Sequence, residues 1–321
     1  MSIRVAVIGG GRNCEHEVSL ASALSVEEAL RHNDYQVVRL TVDRAGVWRD
    51  AELRPIGLAG AVRVLGTCDV VVPMLHGPHG EDGTLAALCD LAQLPYVGSG
   101  LRTGALAMDK WVTKLVAQAI GIAVAPGVLL TRSTASSYAF TGPVVVKPVA
   151  AGSSHGVSLI EDEAGLASAL KAALELDERV LVEKQIRGRE VDVAVLARPD
   201  GTRVVAPALE IVLHQGIFDQ HVKYDGSADL RVPADLAEAD RKALEAAAVA
   251  MYDALGCAGV ARIDFFLTAD GPVLNEVNTV PGFTAQSQVP KMFAAGGTSY
   301  PDLVDLLVRD ALSLATVQQE A

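Results

Sequence analysis

The sequence predicts an α/β protein, with a Rossmann-like unit at its N-terminus and further α+β units after it. Three observations carry this expectation. The chain opens on an apolar strand at 4–9, a Gly9-Gly10-Gly11 turn and a helix, which is how a nucleotide-binding-like α/β domain begins. Apolar strands then alternate with helical segments, and two of those strands end in loops of glycine and polar residues. Near the C-terminus, apolar runs at 259–267 and 272–277 flank Asp270-Gly271, a hairpin signal.

Composition narrows the function classes. A chain of 321 residues suggests two or three packed units, and 50% hydrophobic against 21% charged residues is ample for several cores. The net charge of −12 argues against nucleic acid as a partner, so any bound phosphate must be met by local Lys, Arg, Mg²⁺ or backbone N–H groups. No run of 18 apolar residues is present, so no membrane span is expected. Met1 runs straight into a strand without the layout of a secretory signal. Cys14, Cys68, Cys89 and Cys257 are scattered without a CxxC pair, which reads as reduced thiols in the cytoplasm.

In chain order, the first helix places Val18, Leu20, Ala23, Leu24 and Leu30 at apolar positions, with Glu15 and Glu17 in its first turn. Those acids suit the helix dipole, and Glu15 could equally hold a substrate ammonium. Asp43, after a second strand at 36–42, keeps a dinucleotide reading open, although Cys14 stands where the third fingerprint glycine belongs. A third strand, 69–75, ends in His76-Gly77-Pro78-His79-Gly80-Glu81-Asp82-Gly83, and strand C-termini are where open α/β sheets bind ligands. A helix at 84–94 follows, and another opens at Met108-Asp109-Lys110. Strand 143–147 closes on Lys147 ahead of the Gly152-Ser153-Ser154 loop, which suits either a phosphate grip or an exposed lysine beside a flexible loop. Helix 162–176 and strands 179–185 and 190–197 come next, with Glu183 and Glu190 bracketing a turn. Segment 212–231 lacks clean periodicity and reads as a long, lid-like loop; helix 234–256, the hairpin and a terminal helix at 301–315 complete the chain.

The hairpin is where the chemistry concentrates. Arg262 and Asp264 lie two residues apart on one strand, and Glu276 and Asn278 on the other, so each pair shares a face. Two carboxylates and an amide oxygen are hard ligands suited to Mg²⁺. An adjacent arginine suits a transferring phosphate or a developing anion.

These residues together resemble the D-alanine–D-alanine ligase family of the ATP-grasp superfamily. The resemblance runs from Val5 to about Leu312. It rests on Glu15-His16-Glu17-Val18-Ser19, His76-Gly77 with Gly80-Glu81-Asp82-Gly83, Met108-Asp109-Lys110, Val146-Lys147-Pro148, Gly152-Ser153-Ser154, Glu183-Lys184, Lys223-Tyr224, and Asn275-Glu276-Val277-Asn278-Thr279 with Pro281-Gly282. It implies an ATP-grasp fold in which 1–103 is a Rossmann-like substrate domain, while 104–184 and 185–321 are α+β domains that clamp ATP. Lys110 and Lys147 would meet phosphates and Glu183 and Lys184 the adenine, with Ser153, Ser154, Ile186 and Phe266 also in the ATP set. Glu190 would meet the ribose, with Lys223, Asn275 and Glu276 completing the ATP set. Asp264, Glu276 and Asn278 would hold two Mg²⁺ ions, or Mn²⁺ in their place. Glu15 would take the first D-alanine's ammonium, Lys223 and Ser287 the second D-alanine's carboxylate with Gln288 near that side, and His76 would also line the substrate site. Arg262 and the Gly282 N–H would stabilise a tetrahedral intermediate, while Glu15, Ser153 and Tyr224 would pin the lid. A cytoplasmic homodimer making D-alanyl-D-alanine for peptidoglycan precursors is the implied role.

The sequence departs from the family at several points. Ala151 stands where Glu is usual, Gln185 where an aromatic is common, and Gln288 where Leu is common; the lid reads Phe218-Asp219-Gln220-His221-Val222-Lys223-Tyr224. Because most of these changes fall on the second-substrate side, a ligase for D-serine, D-lactate or a specialised-pathway amino acid is the rival reading. A nucleotide sensor without turnover would be expected to have lost metal ligands. A dehydrogenase would rest on Gly9, Gly11 and Asp43 alone.

Overall fold

The computed structural model describes residues 2–212 and 229–320. Strands β1 (Arg4–Gly10), β2 (Gln36–Val42), β3 (Trp48–Arg49) and β4 (Val70–Pro73) form a sheet in the order β3-β2-β1-β4, with β1 parallel to both β2 and β4. Helix α1 (His16–His32) returns the chain over β1, presenting Ala23, Val26, Ala29 and Leu30 to the core at helical spacing. Helices α2 (Gly57–Leu65) and α3 (Thr84–Leu91) follow. The sequence expects α3 to reach 94, but Ala92 already leaves the helix.

Helix α4 (Leu101–Met108) stops at Asp109, which adopts an extended backbone and caps α5 (Lys110–Ala119) by accepting from the Val112 N–H at 2.9 Å. The helix expected to open at Met108 is α5, which starts two residues later with Lys110 in its first turn, and α4 before it is an additional helix. After the two-residue strand β5 (Ala123–Val124), β6 (Gly127–Thr131), β7 (Val144–Pro148), β8 (Ser158–Ile160) and β9 (Arg179–Lys184) build an antiparallel sheet ordered β6-β9-β7-β8. Helix α6 (Leu166–Leu176) covers it with Leu166, Ala169, Leu170, Ala173 and Leu174.

The largest sheet runs β13-β12-β10-β14-β15-β5, where β10 is Arg189–Ala197, β12 Leu209–Val212, β13 Asp229–Arg231, β14 Val260–Thr268 and β15 Gly271–Asn278; β11 (Arg203–Val205) pairs with β10. Strand alternation assigns its faces. Val191, Val193, Val195, Ala261, Ile263 and Phe265 pack with Leu244, Met251, Tyr252 and Leu255 of α7 (Glu238–Leu255). Full burial of a side chain such as Phe265 contributes about 1.5–3 kcal/mol. The intervening Asp192, Arg262 and Asp264 are thereby left for the opposite face. Helices α8 (Gln288–Ala295) and α9 (Tyr300–Glu320) pack against α1, β1 and β4, joining the C-terminal segment to the first sheet in one core.

The lid expected over 212–231 lies mostly at 213–228, outside the described residues, and Gln220, His221, Lys223 and Tyr224 lie there with it. Val212 and 229–231 are not loop: they are paired strand residues in β12 and β13.

Candidate active site

Two cavities adjoin along β15. One, of about 590 Å³, is lined by Glu15, His76, Glu81, Lys110, Ser153, Arg262, Glu276, Asn278, Gly282, Ser287 and Gln288 among others. The other, of about 430 Å³, is lined by Lys147, Glu183, Lys184, Ile186, Glu190, Phe266 and Asn275 among others. The residues expected to meet amino acids and those expected to meet adenine and ribose thus separate into neighbouring spaces.

Glu15 is the N-cap of α1, and its backbone N–H donates to Asn13 Oδ1 at 2.9 Å. Asn13 is fixed in turn by donating to the carbonyls of His76 and Pro78, at 2.8 and 2.9 Å. The Ser153 hydroxyl donates to Glu15 Oε1, while Glu15 Oε2 is buried and has no hydrogen-bond partner among the described residues. An unpartnered buried carboxylate oxygen calls for a cationic or N–H group to meet it. Glycines make room for it. At Gly77, which has a φ of +68°, an added Cβ would lie 2.5 Å from Oε2, and a Cβ at Gly152 would overlap the carboxylate. Ser153 and Ser154 both take left-handed backbone, with φ of 48° and 55°, a strained arrangement that turns this loop toward Glu15.

His76 holds the opposite wall. Its Nδ1–H donates to the Val280 carbonyl at 2.8 Å, so Nε2 accepts from the Ser22 hydroxyl at 2.9 Å, and Ser22 accepts from the Phe283 N–H at 3.1 Å. Burial depresses the imidazole below its ordinary value despite Glu15, so it is a neutral brace and not a cation. Glu81 accepts from the N–H groups of Thr279 (3.1 Å), Val280 (3.3 Å) and Gly77 (3.3 Å). Burial, and then the Glu15 charge, push its carboxyl up to about 7.

On the hairpin, Asp264 faces Glu276 and Arg262 faces Asn278. The register slips between Asp264 and Phe265, whose partners are Glu276 and Leu274, so Asn275 is the extra residue of a bulge. Asn275 accepts from Lys147 Nζ at 3.3 Å, while its neighbour Glu276 meets Lys110 Nζ at 3.3 Å. The expected turn also moves by one residue, since Gly271 already pairs with Thr268. Arg262 clasps Asp264 with Nε and Nη2, both at 2.7 Å, and Asn278 Nδ2 donates to Asp264 at 2.9 Å. Burial alone would lower the guanidinium's pKa, but Asp264 and Asp192 outweigh it and hold it above its ordinary value.

Buried charge also anchors the second cavity. Glu183 bridges Lys147 (2.6 Å) and Lys114 (2.8 Å), and Lys110 donates to the Ala151 carbonyl at 2.9 Å. Burial would raise Glu183, but Lys147 and Lys114 more than offset it and its pKa falls. Burial, followed by Lys147, lowers Lys114 to about 8.

Sequence reasoning gave no role to Lys114, Glu81 or Asp192, although Glu81 stands in one of the family motifs. Lys114 follows Lys110 by four residues on one helix and so shares its face, a signal that was present. Asp192 follows Glu190 by two on β10 and likewise shares its face. Asp43, the support for a dinucleotide, is occupied in a turn: it accepts from Ala45 and Val47 N–H at 2.9 Å and from Arg49 Nε at 2.8 Å.

Asp264, Glu276 and the amide oxygen of Asn278 supply oxygen donors on the hairpin. Among the described residues no group of three or more His, Cys, Asp or Glu is arranged to hold a metal ion by itself. That donor set fits Mg²⁺ shared with a phosphate ligand, because Mg²⁺ is commonly held by one or two carboxylates plus substrate phosphates.

Residues 4–99 match the family model described as D-ala D-ala ligase N-terminus, and residues 116–309 match D-ala D-ala ligase C-terminus. The chain is 40% identical to a D-alanine–D-alanine ligase of Nocardia farcinica, with 98% of each chain covered. It is 37% identical to D-alanine–D-alanine ligase A of Salmonella typhimurium, covering 98% of this chain and 97% of that one. Among solved structures, the VanG D-Ala:D-Ser ligase of Enterococcus faecalis superposes with a TM-score of 0.86 at 34% identity, covering 97% of this chain and all of that one. The D-alanine–D-alanine ligase of Bacillus anthracis complexed with ATP superposes with a TM-score of 0.81 at 27% identity, over 99% of this chain and all of that one. Matched over both halves and nearly its whole length, the chain belongs to the D-alanine–D-alanine ligase family and has its ATP-grasp fold.

Proposed function

We propose that this protein joins two D-alanines at the expense of ATP, by phosphorylating the carboxylate of the first and letting the amine of the second displace phosphate. The observation that carries the reading is the meeting of the two cavities along β15, where Asn275 and Glu276 face Lys147 and Lys110 on adjacent residues. A nucleotide in the Lys147–Glu183 cavity then points its phosphates toward the Glu15 cavity.

A carboxylate is a poor electrophile, and converting it to an acyl phosphate supplies a leaving group. In this reading Lys110 and Lys147 neutralise phosphate oxygens, giving up their present partners Glu276 and Glu183 as they do so. Glu15 Oε2 receives the ammonium of the first D-alanine. Ser287, at the N-cap of α8, does not use its hydroxyl to cap the helix. Together with the uncapped N–H groups of that first turn it suits the second D-alanine's carboxylate. Arg262 and the Gly282 N–H stand where negative charge develops as the amine attacks. Asp264, Glu276 and Asn278 would hold Mg²⁺, which when bound neutralises charge on the phosphate oxygens. Tyr224 and Lys223 lie outside the described residues and keep their places in the proposal, Tyr224 as the lid partner of Ser153 and Glu15, Lys223 as a holder of the second D-alanine's carboxylate. The division 1–103, 104–184 and 185–321 and a cytoplasmic homodimer belong to the same reading, supported by family membership. Among the described residues no helix is long and apolar enough to cross a membrane.

The acceptor is D-alanine in this proposal, although the structural likeness includes an enzyme titled D-Ala:D-Ser ligase. Gln288, the polar departure nearest that side, has both ends of its amide engaged, its oxygen by Arg262 and its nitrogen by Asp192, which leaves it poorly placed to select a hydroxyl. The experiment is phosphate release and product mass with ATP, D-alanine, D-serine and D-lactate supplied together. D-Alanyl-D-alanine as the main product is expected. A mixed product in its place overturns the acceptor, and no D-alanine-dependent phosphate release overturns the ligase reading.

A further inference from the structure

Gln288 is the first residue of α8, one after Ser287 and six after Gly282. Its Oε1 accepts from Arg262 Nη1 at 2.6 Å, and its Nε2 donates to Asp192 Oδ2 at 2.8 Å. Arginine only donates and an ionised aspartate only accepts, so the two partners fix which way the amide points. Arg262 and Asp192 are both buried, and Nε of the arginine lies 3.4 Å from the same aspartate oxygen.

Arg262 thus sits between two carboxylates. Asp264 holds it with two short bonds, while Asp192 is within reach of an ion pair but beyond a good hydrogen bond. Gln288 fills that gap with a neutral bridge. Of the five N–H donors on the guanidinium, Asp264 takes two and Gln288 a third. Among the described residues, one N–H on each of Nη1 and Nη2 is left for a ligand, in a fixed plane.

The same amide anchors a loop. The segment from Val280 to Ser287 is tied at its start through His76 and Ser22, which hold the Val280 carbonyl and the Phe283 N–H. Within it, the Thr284 N–H donates to Ser287 Oγ at 3.0 Å. At its end, Gln288 ties the first turn of α8 to β10 and β14. The Gly282 N–H and Ser287 lie on this loop and Arg262 on β14, and the Gln288 bridge joins the two.

We propose that Gln288 is a positioning residue for the second half of the reaction: it fixes the Arg262 guanidinium against α8 so that the charge-stabilising donors and the acceptor's carboxylate site stay in register. This rests on the ligase reading above. The Gln288 amide does not touch the nucleotide cavity, so its loss should weaken use of the acceptor and leave use of ATP nearly unchanged.

Three variants test it: Gln288→Met, Gln288→Glu and the double variant Asp192→Asn with Gln288→Glu. Met keeps the length and removes both hydrogen bonds. Glu keeps the bond from Arg262 but sets a carboxylate against Asp192. The double variant restores the pair with its polarity exchanged, since an asparagine amide in place of Asp192 can donate where Gln288 did. Hydrogen bonds to charged groups are the strong ones, so turnover is expected to fall about tenfold or more in Gln288→Met and further in Gln288→Glu. The Michaelis constant for the second D-alanine should rise, and that for ATP should stay within about twofold. The double variant should recover most of what Gln288→Glu loses. Melting temperatures of the two single variants and the double variant read the same coupling with no turnover required, so the bridge is tested even if the ligase reading fails. Normal acceptor kinetics in Gln288→Met, or a double variant no better than Gln288→Glu in both turnover and melting temperature, would overturn the proposal.

Discussion

The cavity around Glu15 is lined by the acids Glu15, Glu17, Glu81 and Glu276 against Lys110 and Arg262, whereas the cavity around Lys147 is lined by the bases Lys147, Lys184, Arg187 and Arg189 against Glu183, Glu190 and Glu210. The polarity is opposite across a single strand. An acidic space with an orphaned carboxylate oxygen suits an ammonium-bearing amino acid; a space with surplus cations suits phosphate. The net charge of −12 says nothing of this, because the sign that matters is local and changes between Asn275 and Glu276.

Glu276 stands at the boundary, and removing its charge should have the largest effect. Glu276→Gln deletes the carboxylate that meets Lys110 and, in the proposed mechanism, Mg²⁺. Turnover is expected to fall by at least ~10²-fold, the scale of losing one electrostatic stabiliser. Phosphate release at saturating ATP and D-alanine measures it, and near-normal activity would remove Glu276 from the metal set.

The next effect belongs to the basic side. Lys147→Met leaves Glu183 with Lys114 as its partner, and the Michaelis constant for ATP is expected to rise by ~10-fold or more as a phosphate contact is lost. Because Lys147 is buried against Glu183 at 2.6 Å, the melting temperature should fall as well. Loss of stability with unchanged ATP kinetics would make the lysine structural only.

Lys114→Met refines the same side. It keeps Lys147 but removes the second cation from Glu183, so the carboxylate competes harder with phosphate for Lys147. The expected rise in the ATP constant is a few-fold, about the size of one modest hydrogen bond. Acceptor kinetics should not change. If instead D-alanine use suffered and ATP use did not, the separation of the two cavities would be wrong.

How far these features could be read from sequence depends on the range over which each is set. Arg262, Asp264 and Asn278 were legible because strand alternation and a local turn signal determine their face. Lys147 and Glu183 were visible at strand ends, and the register of β7 with β9 seats them together. The bulge at Asn275 was not legible, since it depends on how β15 meets β14, and no residue pattern marks it. The Asp192–Gln288–Arg262 bridge ties α8 to β10, 96 residues away in sequence, and to β14, 26 residues away, and its partners are set by tertiary packing. The start of α5 was legible to within two residues, beside the helix-capping Asp109, whereas α4 just before it was passed over. Packing of α8 and α9 on the first sheet likewise depends on which apolar faces meet, which periodicity does not determine.

The smallest expected effect concerns Glu81 and sharpens the acidic side. Its carboxyl is raised from an ordinary value of 4.5 to about 7 by burial and then by Glu15. Between those pH values the folded chain holds a proton that the unfolded chain has released. The stability this proton linkage confers is complete below 4.5 and is lost as pH rises through 7. Glu81→Gln cannot titrate, and its amide oxygen can still accept from the Thr279 and Val280 N–H groups. The variant should therefore show a flatter melting temperature between about pH 5 and pH 8, with turnover reduced only a few-fold. Ligand binding adds a second sign. An ammonium at Glu15 cancels part of the charge that raises Glu81, so D-alanine binding near pH 7 should release a fraction of a proton. Calorimetry in two buffers of different ionisation enthalpy measures that release. It should be present in the parent protein and absent in Glu81→Gln; equal release from both would place the titrating group elsewhere.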